Sequence, residues 1–339
     1  MSYEKYMSRC IALAEKARGN TYPNPLVGAV IVHNGIIIGE GYHHKAGEPH
    51  AEINAINSVD NKELLKESTI YVSLEPCSHF GRTPPCAAKI TEIGFKKVVI
   101  GSADSNEKVS GKGKKMIEEA GIEVVDKVLE EQCRWLNRRF FTFHEKKRPY
   151  IILKWAESND GFIDRNFAPM PISNVLASQY VHKMRAEEHA ILVGTQTALN
   201  DNPTLDVRHL DGRNPIRVLI DLELKVPRSF NIFNTNAPTI IFNLYKNCEQ
   251  DHLKWIKIDR ENFLEELMCH LYEQQIQSII IEGGSKMLNT FIEAQLWDEV
   301  VVIKAPNLTL NNGTKAPIFN EKPYRQKQMR DNVLNFYKK

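Results

Sequence analysis

The chain has 339 residues, 44 of them Lys or Arg and 42 Asp or Glu, for a formal net charge of +2. So even a balance argues against a partner recruited by bulk electrostatics, nucleic acid above all, and no apolar run reaches the roughly 18 residues that would call for a membrane. Without a leader-like N-terminus the expectation is a soluble, cytoplasmic protein, and the length predicts two domains at roughly 100–200 residues each.

In chain order, an amphipathic helix is predicted over about 4–18, with Ile11, Leu13 and Ala14 on its apolar side. Apolar runs at 27–32 and 36–39 flank His33-Asn34-Gly35, a hairpin signal because Asn and Gly both accept positive φ. A helix follows from Pro49 to about Ser58, a strand at 69–74, and a short helix from Cys86 that Gly94 stops. A strand at 97–101, a helix ending at Gly121 and a short strand at 122–125 complete the first half. A hairpin followed by strand–helix–strand units predicts a mixed sheet with helices on both faces. The basic stretch 144–149 reads as a turn, so the boundary falls there, giving domains 1–145 and 146–339. Beyond it, a strand at 150–154, a helix at 175–187 and strands at 190–194, 216–221, 239–242, 278–281 and 299–303 predict a second α/β domain.

Six cysteines are too few for a disulfide scaffold, and Cys10, Cys133, Cys248 and Cys269 stand alone as small apolar fillers. Cys77 and Cys86 differ. His50-Ala51-Glu52 opens a helix behind Pro49, Pro76-Cys77 follows a strand, and Cys86 follows Pro84-Pro85. One imidazole and two thiolates leave the fourth position of a tetrahedral Zn2+ open, as a catalytic zinc requires. Glu52 is then the candidate catalytic group, carrying protons from metal-activated water to a ring nitrogen and then to a departing amine. An H-x-E pair with a later P-C-x-x-C marks the zinc deaminases. Here residues 78–85 separate the two cysteines instead of two residues, and His43, His44 and His79 compete as ligands.

The segments 24–30, 46–52 and 74–86, the last with its long insert between the cysteines, resemble the bifunctional riboflavin-biosynthesis deaminase–reductases. Marks in the second half extend the resemblance over nearly the whole chain: Lys154, Asp160-Gly161, residues 184–187, Val193-Gly194-Thr195, residues 201–208 and Ile281-Glu282-Gly283-Gly284. The resemblance implies a cytidine-deaminase-like N-terminal mixed sheet and a dihydrofolate-reductase-like α/β domain after it. It also implies a small phosphorylated pyrimidine substrate, with zinc-dependent hydrolysis of the 2-amino group of 2,5-diamino-6-ribosylamino-4(3H)-pyrimidinone 5′-phosphate. NADPH-dependent reduction of the ribosyl chain to ribityl would follow. Zinc would be held by His50, Cys77 and Cys86. Substrate contacts would be Lys154, Ser173, Arg185, Leu205, Arg208 and Glu282, and cofactor contacts Ala156, Thr197, Asp201, Asp221, Gly284 and Ser285.

Two residue-level observations bear on that reading. No G-x-G-x-x-G run follows a strand, so a dinucleotide would not be held in Rossmann fashion, while Glu282-Gly283-Gly284-Ser285 between a strand and a helix suits a phosphate. The chain departs from the family where Pro169-Met170-Pro171-Ile172-Ser173 replaces a usual Ser-x-Trp-Ile, and where Asp104-Ser105-Asn106 replaces Asp-Pro-Asn. A nucleic-acid base deaminase, and a second half that senses a nucleotide without reducing it, are the alternatives weighed; a homo-oligomer is left open.

Overall fold

The computed structural model describes residues 3–78, 84–105 and 111–339; His79 and Asn106 lie outside them. By its internal contacts the chain divides into two units, Met1–Lys146 and Lys147–Lys339.

In the first unit, Asn34 and Gly35 take φ of 47° and 81° and turn β1 (Gly28–His33) into β2 (Ile36–Tyr42). α1 (Tyr3–Ala14) precedes them. α2 (Ala51–Asn57), β3 (Thr69–Leu74), α3 (Cys86–Ile93), β4 (Lys97–Ser102), α4 (Lys112–Glu119), β5 (Glu123–Val125), α5 (Glu130–Leu136) and α6 (Arg138–Lys146) follow. The sheet runs β2-β1-β3-β4-β5, with β1 antiparallel to both neighbours and β3, β4 and β5 parallel. Alternation along the strands builds two cores. Ala29, Ile31, Ile70, Val72, Val98 and Ile100 meet α2, α3 and α4, while Val30, Val32, Tyr71 and Val99 meet α1 and α5 on the other face. The expected turn at 144–149 is corrected: His144 and Lys146 belong to the last turn of α6, which Phe140, Phe141 and Phe143 anchor in the interior.

The second unit contains β6 (Tyr150–Ser158), α7 (Val175–Glu187), β7 (Ala190–Gly194), α8 (Thr195–Asp201), β8 (Ile216–Ile220), β9 (Thr239–Asn243), β10 (Cys248–Gln250) and β11 (Leu253–Lys257). α9 (Phe263–Glu273), β12 (Ser278–Ile281), α10 (Ser285–Glu293), β13 (Glu299–Ala305), β14 (Arg325–Met329) and β15 (Asn332–Lys338) complete it. One sheet runs β10-β11-β9-β8-β7-β12-β6-β13-β15-β14, parallel from β11 to β13 and antiparallel at both ends. Parallel strands buried on both faces read as continuous apolar runs, as Ser278–Ile281 and Ala190–Gly194 do. α9 and α10 cover one face through Leu267, Leu271, Leu288 and Phe291; α7 and α8 cover the other through Ala177, Val181, Met184 and Ala198. Among the described residues no helix is long and apolar enough to cross a membrane.

Candidate active sites

In the first unit the backbone brings three separated residues to one point. His50 is the extended residue that opens α2, and Cys77 lies just past the end of β3. Cys86 begins α3, whose first N–H groups reach back to the Cys77 turn: Cys86 N–H donates to Cys77 Sγ (3.3 Å) and Ala87 N–H to the Cys77 carbonyl (3.1 Å). His50 Nδ1 lies 3.5 Å from Cys77 Sγ and 3.4 Å from Cys86 Sγ, and all three ligand atoms fall within 4.8 Å of one another. A tetrahedral zinc with ordinary Zn–N and Zn–S bonds separates nitrogen from sulfur by about 3.6 Å, so the cluster has the right size.

The charges fit as well. The Cys86 thiol, outweighing the cost of burial, and the nearby His50 pull the Cys77 thiol down to about 4, while Cys86, facing that thiolate, is pushed up. His50 is raised by the same Cys77 sulfur. Glu52, 3% exposed, faces the Cys86 thiol and is raised by burial. Two sulfurs and a buried carboxyl crowded together leave negative charge that a divalent cation balances. The donor set therefore fits zinc, with Glu52 beside the ligands instead of among them.

The competing histidines separate clearly. His43 is 2% exposed, and both ring nitrogens have protein neighbours: Pro49 O lies 3.2 Å from Nδ1 and Asn24 Nδ2 lies 3.1 Å from Nε2. Burial lowers its pKa, and its ring meets His50 edge-on at 5.3 Å. His44 is exposed and lies against Tyr42 at 4.1 Å.

In the second unit the residues gather at the ends of the parallel strands. A cavity of about 520 Å³ is lined by Lys154, Ala156, Ser173, Thr197, Asp201, Glu282, Gly284 and Ser285, eight of the residues singled out from sequence. The turn that brings Gly284 to its wall requires glycine: a Cβ on Gly283 would lie 2.6 Å from Val193 Cα, and Gly284 has φ of 48°. These two let the chain pass from β12 into α10 with the first helical N–H groups free to meet a phosphate. Glu282 Oε2 accepts from Arg185 Nη2 at 2.8 Å and Glu282 Oε1 lies 3.8 Å from Lys154 Nζ. Burial disfavours the Glu282 carboxylate, yet Arg185 and Lys154 hold it at about 2. Glu282 Oε1 and Arg185 Nε are buried without a hydrogen-bond partner among the described residues, as groups awaiting a ligand would be. The pocket's phosphate-accepting turn and the orphaned oxygen of its Glu282 fit a nucleotide cofactor and a polar substrate.

Four of the singled-out residues do not line it: Arg185, which bonds Glu282 instead, and three that sit elsewhere. Asp221 does not line this cavity; its carboxylate accepts from Thr195 Oγ1, Lys225 N–H and Val226 N–H, closing the turn after β8. Leu205, at φ of 55°, buries its side chain in the core under α7 and α8. Arg208 points outward, 3.4 Å from Asp206. Sequence reasoning passed over Asp206, whose carbonyl accepts from Arg185 (3.3 Å), and His182, whose Nδ1 accepts from Arg208 N–H (3.1 Å). It also passed over Lys286 in the first turn of α10, a cavity wall whose only signal is its place just after the Gly-Gly pair. Pro169, Met170 and Pro171, the departure from the family, line the cavity too.

Comparison with known proteins bears on both sites. Residues 1–102 match the cytidine and deoxycytidylate deaminase zinc-binding region, and residues 149–334 match the RibD C-terminal domain. The riboflavin biosynthesis protein RibD of Aquifex aeolicus is 41% identical over 312 residues, covering 90% of this chain and 87% of the relative. RibD of Escherichia coli is 37% identical, covering 91% and 89%. The crystal structure of a diaminohydroxyphosphoribosylaminopyrimidine deaminase/5-amino-6-(5-phosphoribosylamino)uracil reductase from Thermotoga maritima superposes with a TM-score of 0.91 at 37% identity, covering 99% of this chain and 98% of that one.

Proposed function

The chain belongs to the RibD family of riboflavin-biosynthesis proteins, and from that premise we propose how its two units divide the work. It is a bifunctional enzyme, a zinc-dependent deaminase and an NADPH-dependent reductase acting on a small phosphorylated pyrimidine. The first unit hydrolyses the 2-amino group of 2,5-diamino-6-ribosylamino-4(3H)-pyrimidinone 5′-phosphate, and the second reduces the ribosyl chain of the product to ribityl. Both steps run in the cytoplasm, a setting in which six free cysteines stay reduced.

In the first unit His50, Cys77 and Cys86 hold zinc, which when bound supplies the Lewis acidity that makes water nucleophilic near neutral pH. Glu52 takes one of the water's two protons at its carboxylate and hands it to the ring nitrogen, then carries the second to the departing amine, which leaves as ammonia. Its burial keeps those protons from exchanging with bulk water. His43, fixed between Pro49 and Asn24, packs against His50 and holds the ring in place.

In the second unit Ala156, Thr197, Asp201, Gly284 and Ser285 hold NADPH, which when bound supplies the reducing equivalents, with its phosphates at the start of α10. Lys154, Ser173 and Glu282 position the substrate, Arg185 fixes Glu282, and the outward guanidinium of Arg208 meets the substrate phosphate.

The observation that carries this reading is the convergence of His50 Nδ1 and two sulfurs within 4.8 Å, beside a buried carboxyl. Purified protein given the diaminopyrimidine phosphate is expected to release ammonia and only then to oxidise NADPH. Ammonia release at full rate by zinc-free protein would overturn the first assignment. NADPH that binds without turnover on the deaminated product would overturn the second.

A further inference from the structure

The turn that carries Cys77 is gripped by two helix N-termini, and only one of them belongs to the ligand set. α3 supplies the N–H groups of Cys86 and Ala87. The other is α4, which reaches the turn through Glu75. That side chain is 5% exposed, and each carboxylate oxygen accepts two backbone N–H groups: Oε1 from Gly113 (3.0 Å) and Lys114 (3.1 Å), Oε2 from Gly111 (3.0 Å) and Asp104 (3.3 Å). The backbones approach as closely as the side chain. A Cβ on Gly113 would lie 1.9 Å from the Pro76 carbonyl oxygen, so only glycine lets α4 sit there. α4 is itself fixed in the core by Ile117, and Glu75 N–H is bonded to Ser102 O at the end of β4 (2.9 Å).

From this geometry we infer that Glu75 is a positioning residue for the zinc site: through Pro76 it holds Cys77 Sγ at the distance from His50 and Cys86 that the metal needs. The inference rests on the ligand set proposed above. Glu75 touches neither sulfur nor imidazole in any described contact, and all its accepting capacity goes to α4 and Asp104. A carboxylate suits the place because four converging N–H groups and the positive end of a helix ask for an anion. Gln would present one oxygen and a pair of hydrogens to those same N–H groups, so part of the clasp would open. A metal site tolerates little slack, on the order of 0.2 Å in each bond, so a loosened turn is read as lost affinity.

The test uses the full-length chain and measures zinc affinity by competition with a chromophoric chelator, a readout independent of turnover. Glu75→Gln is expected to weaken zinc binding about 10–100-fold, with NADPH oxidation by the second unit unchanged. Gly113→Ala, which pushes Pro76 from the far side of the same contact, is expected to weaken it as well. Ile117→Val is the control: it loosens α4 in the core without touching Glu75, and should lower the melting temperature while leaving zinc affinity at the wild-type value. Should Glu75→Gln give no cooperative melt, Glu75→Asp, whose carboxylate is one methylene short of α4, replaces it with the same expectation. Zinc affinity in the Glu75 variant within about twofold of wild type would overturn the inference, as would an equal loss in Ile117→Val. Cys77→Ser examines the ligand set separately: if wild type binds zinc, Cys77→Ser does not and Glu75→Gln binds normally, the site stands and the positioning role falls.

Discussion

Replacing Glu282 with Gln takes the only anion from a buried group of three and leaves two cations facing each other. The Glu282 side chain is 9% exposed and lies 2.8 Å from Arg185 and 3.8 Å from Lys154, each 13% exposed. Burial alone would raise this carboxyl, but Arg185 and Lys154 outweigh it and hold it at about 2 against an ordinary 4.5. At about 1.4 kcal/mol for each tenfold change, that gap is worth about 3 kcal/mol. Breaking a buried ion pair by removing one partner costs about 3–5 kcal/mol, so two separate routes agree. For a unit of this size, at about 2–4 °C per kcal/mol, the melting temperature should fall roughly 6–20 °C. A carboxyl depressed by folding stabilises above its unfolded value, and that stability disappears as pH drops through the folded value. The difference between wild type and Glu282→Gln should therefore be full at neutral pH, shrink below about 4.5 and close near 2. Calorimetric melts of the full-length chain across that range, following the second unit, measure it. Equal melting at neutral pH, or a difference undiminished near pH 2, would refute the reasoning.

Glu52→Gln should retain zinc, measured by metal analysis, and lose about 10²–10⁴-fold in ammonia release; a zinc-free variant would make Glu52 a ligand instead. Stripping the metal with a chelator should abolish ammonia release and leave NADPH oxidation on the deaminated pyrimidine intact, because no His or Cys lines the second cavity among the described residues. Gly283→Ala places a methyl 2.6 Å from Val193 Cα. It should cost about 1–3 kcal/mol of stability and weaken NADPH binding in a titration; an unchanged melt with unchanged affinity would contradict that.

Local signals were legible where one short stretch determines the outcome. Asn34-Gly35 made the hairpin, Gly94 ended α3 in a left-handed cap, and the apolar run 69–74 became β3 residue for residue. α5 and α6 were legible and overlooked: Cys133, Leu136, Phe140 and Phe143 keep helical spacing, but lysines and arginines around them resemble a linker. β14 carries no such signal, since Arg325–Met329 is almost wholly exposed and polar, an edge strand that exists because β15 pairs with it.

The zinc cluster was readable because its residue types are rare and chemically specific, whereas its supports were not. Glu75 reads as an ordinary surface acid until α4 folds back on it, and His43 as a rival ligand until Pro49 and Asn24 occupy its ring. Asp221 shows what a strand-end acid can do besides meeting a ligand: its carboxylate accepts the Lys225 and Val226 N–H groups of its own turn.

The most direct measurement is anomalous diffraction at the zinc absorption edge from crystals of the full-length enzyme. One peak is expected in the first unit, about 2.3 Å from Cys77 Sγ and Cys86 Sγ and about 2.1 Å from His50 Nδ1, with the Glu52 carboxylate outside bonding distance. A map with no peak there, or with the metal bound through Glu52, His43 or His44, would contradict the account.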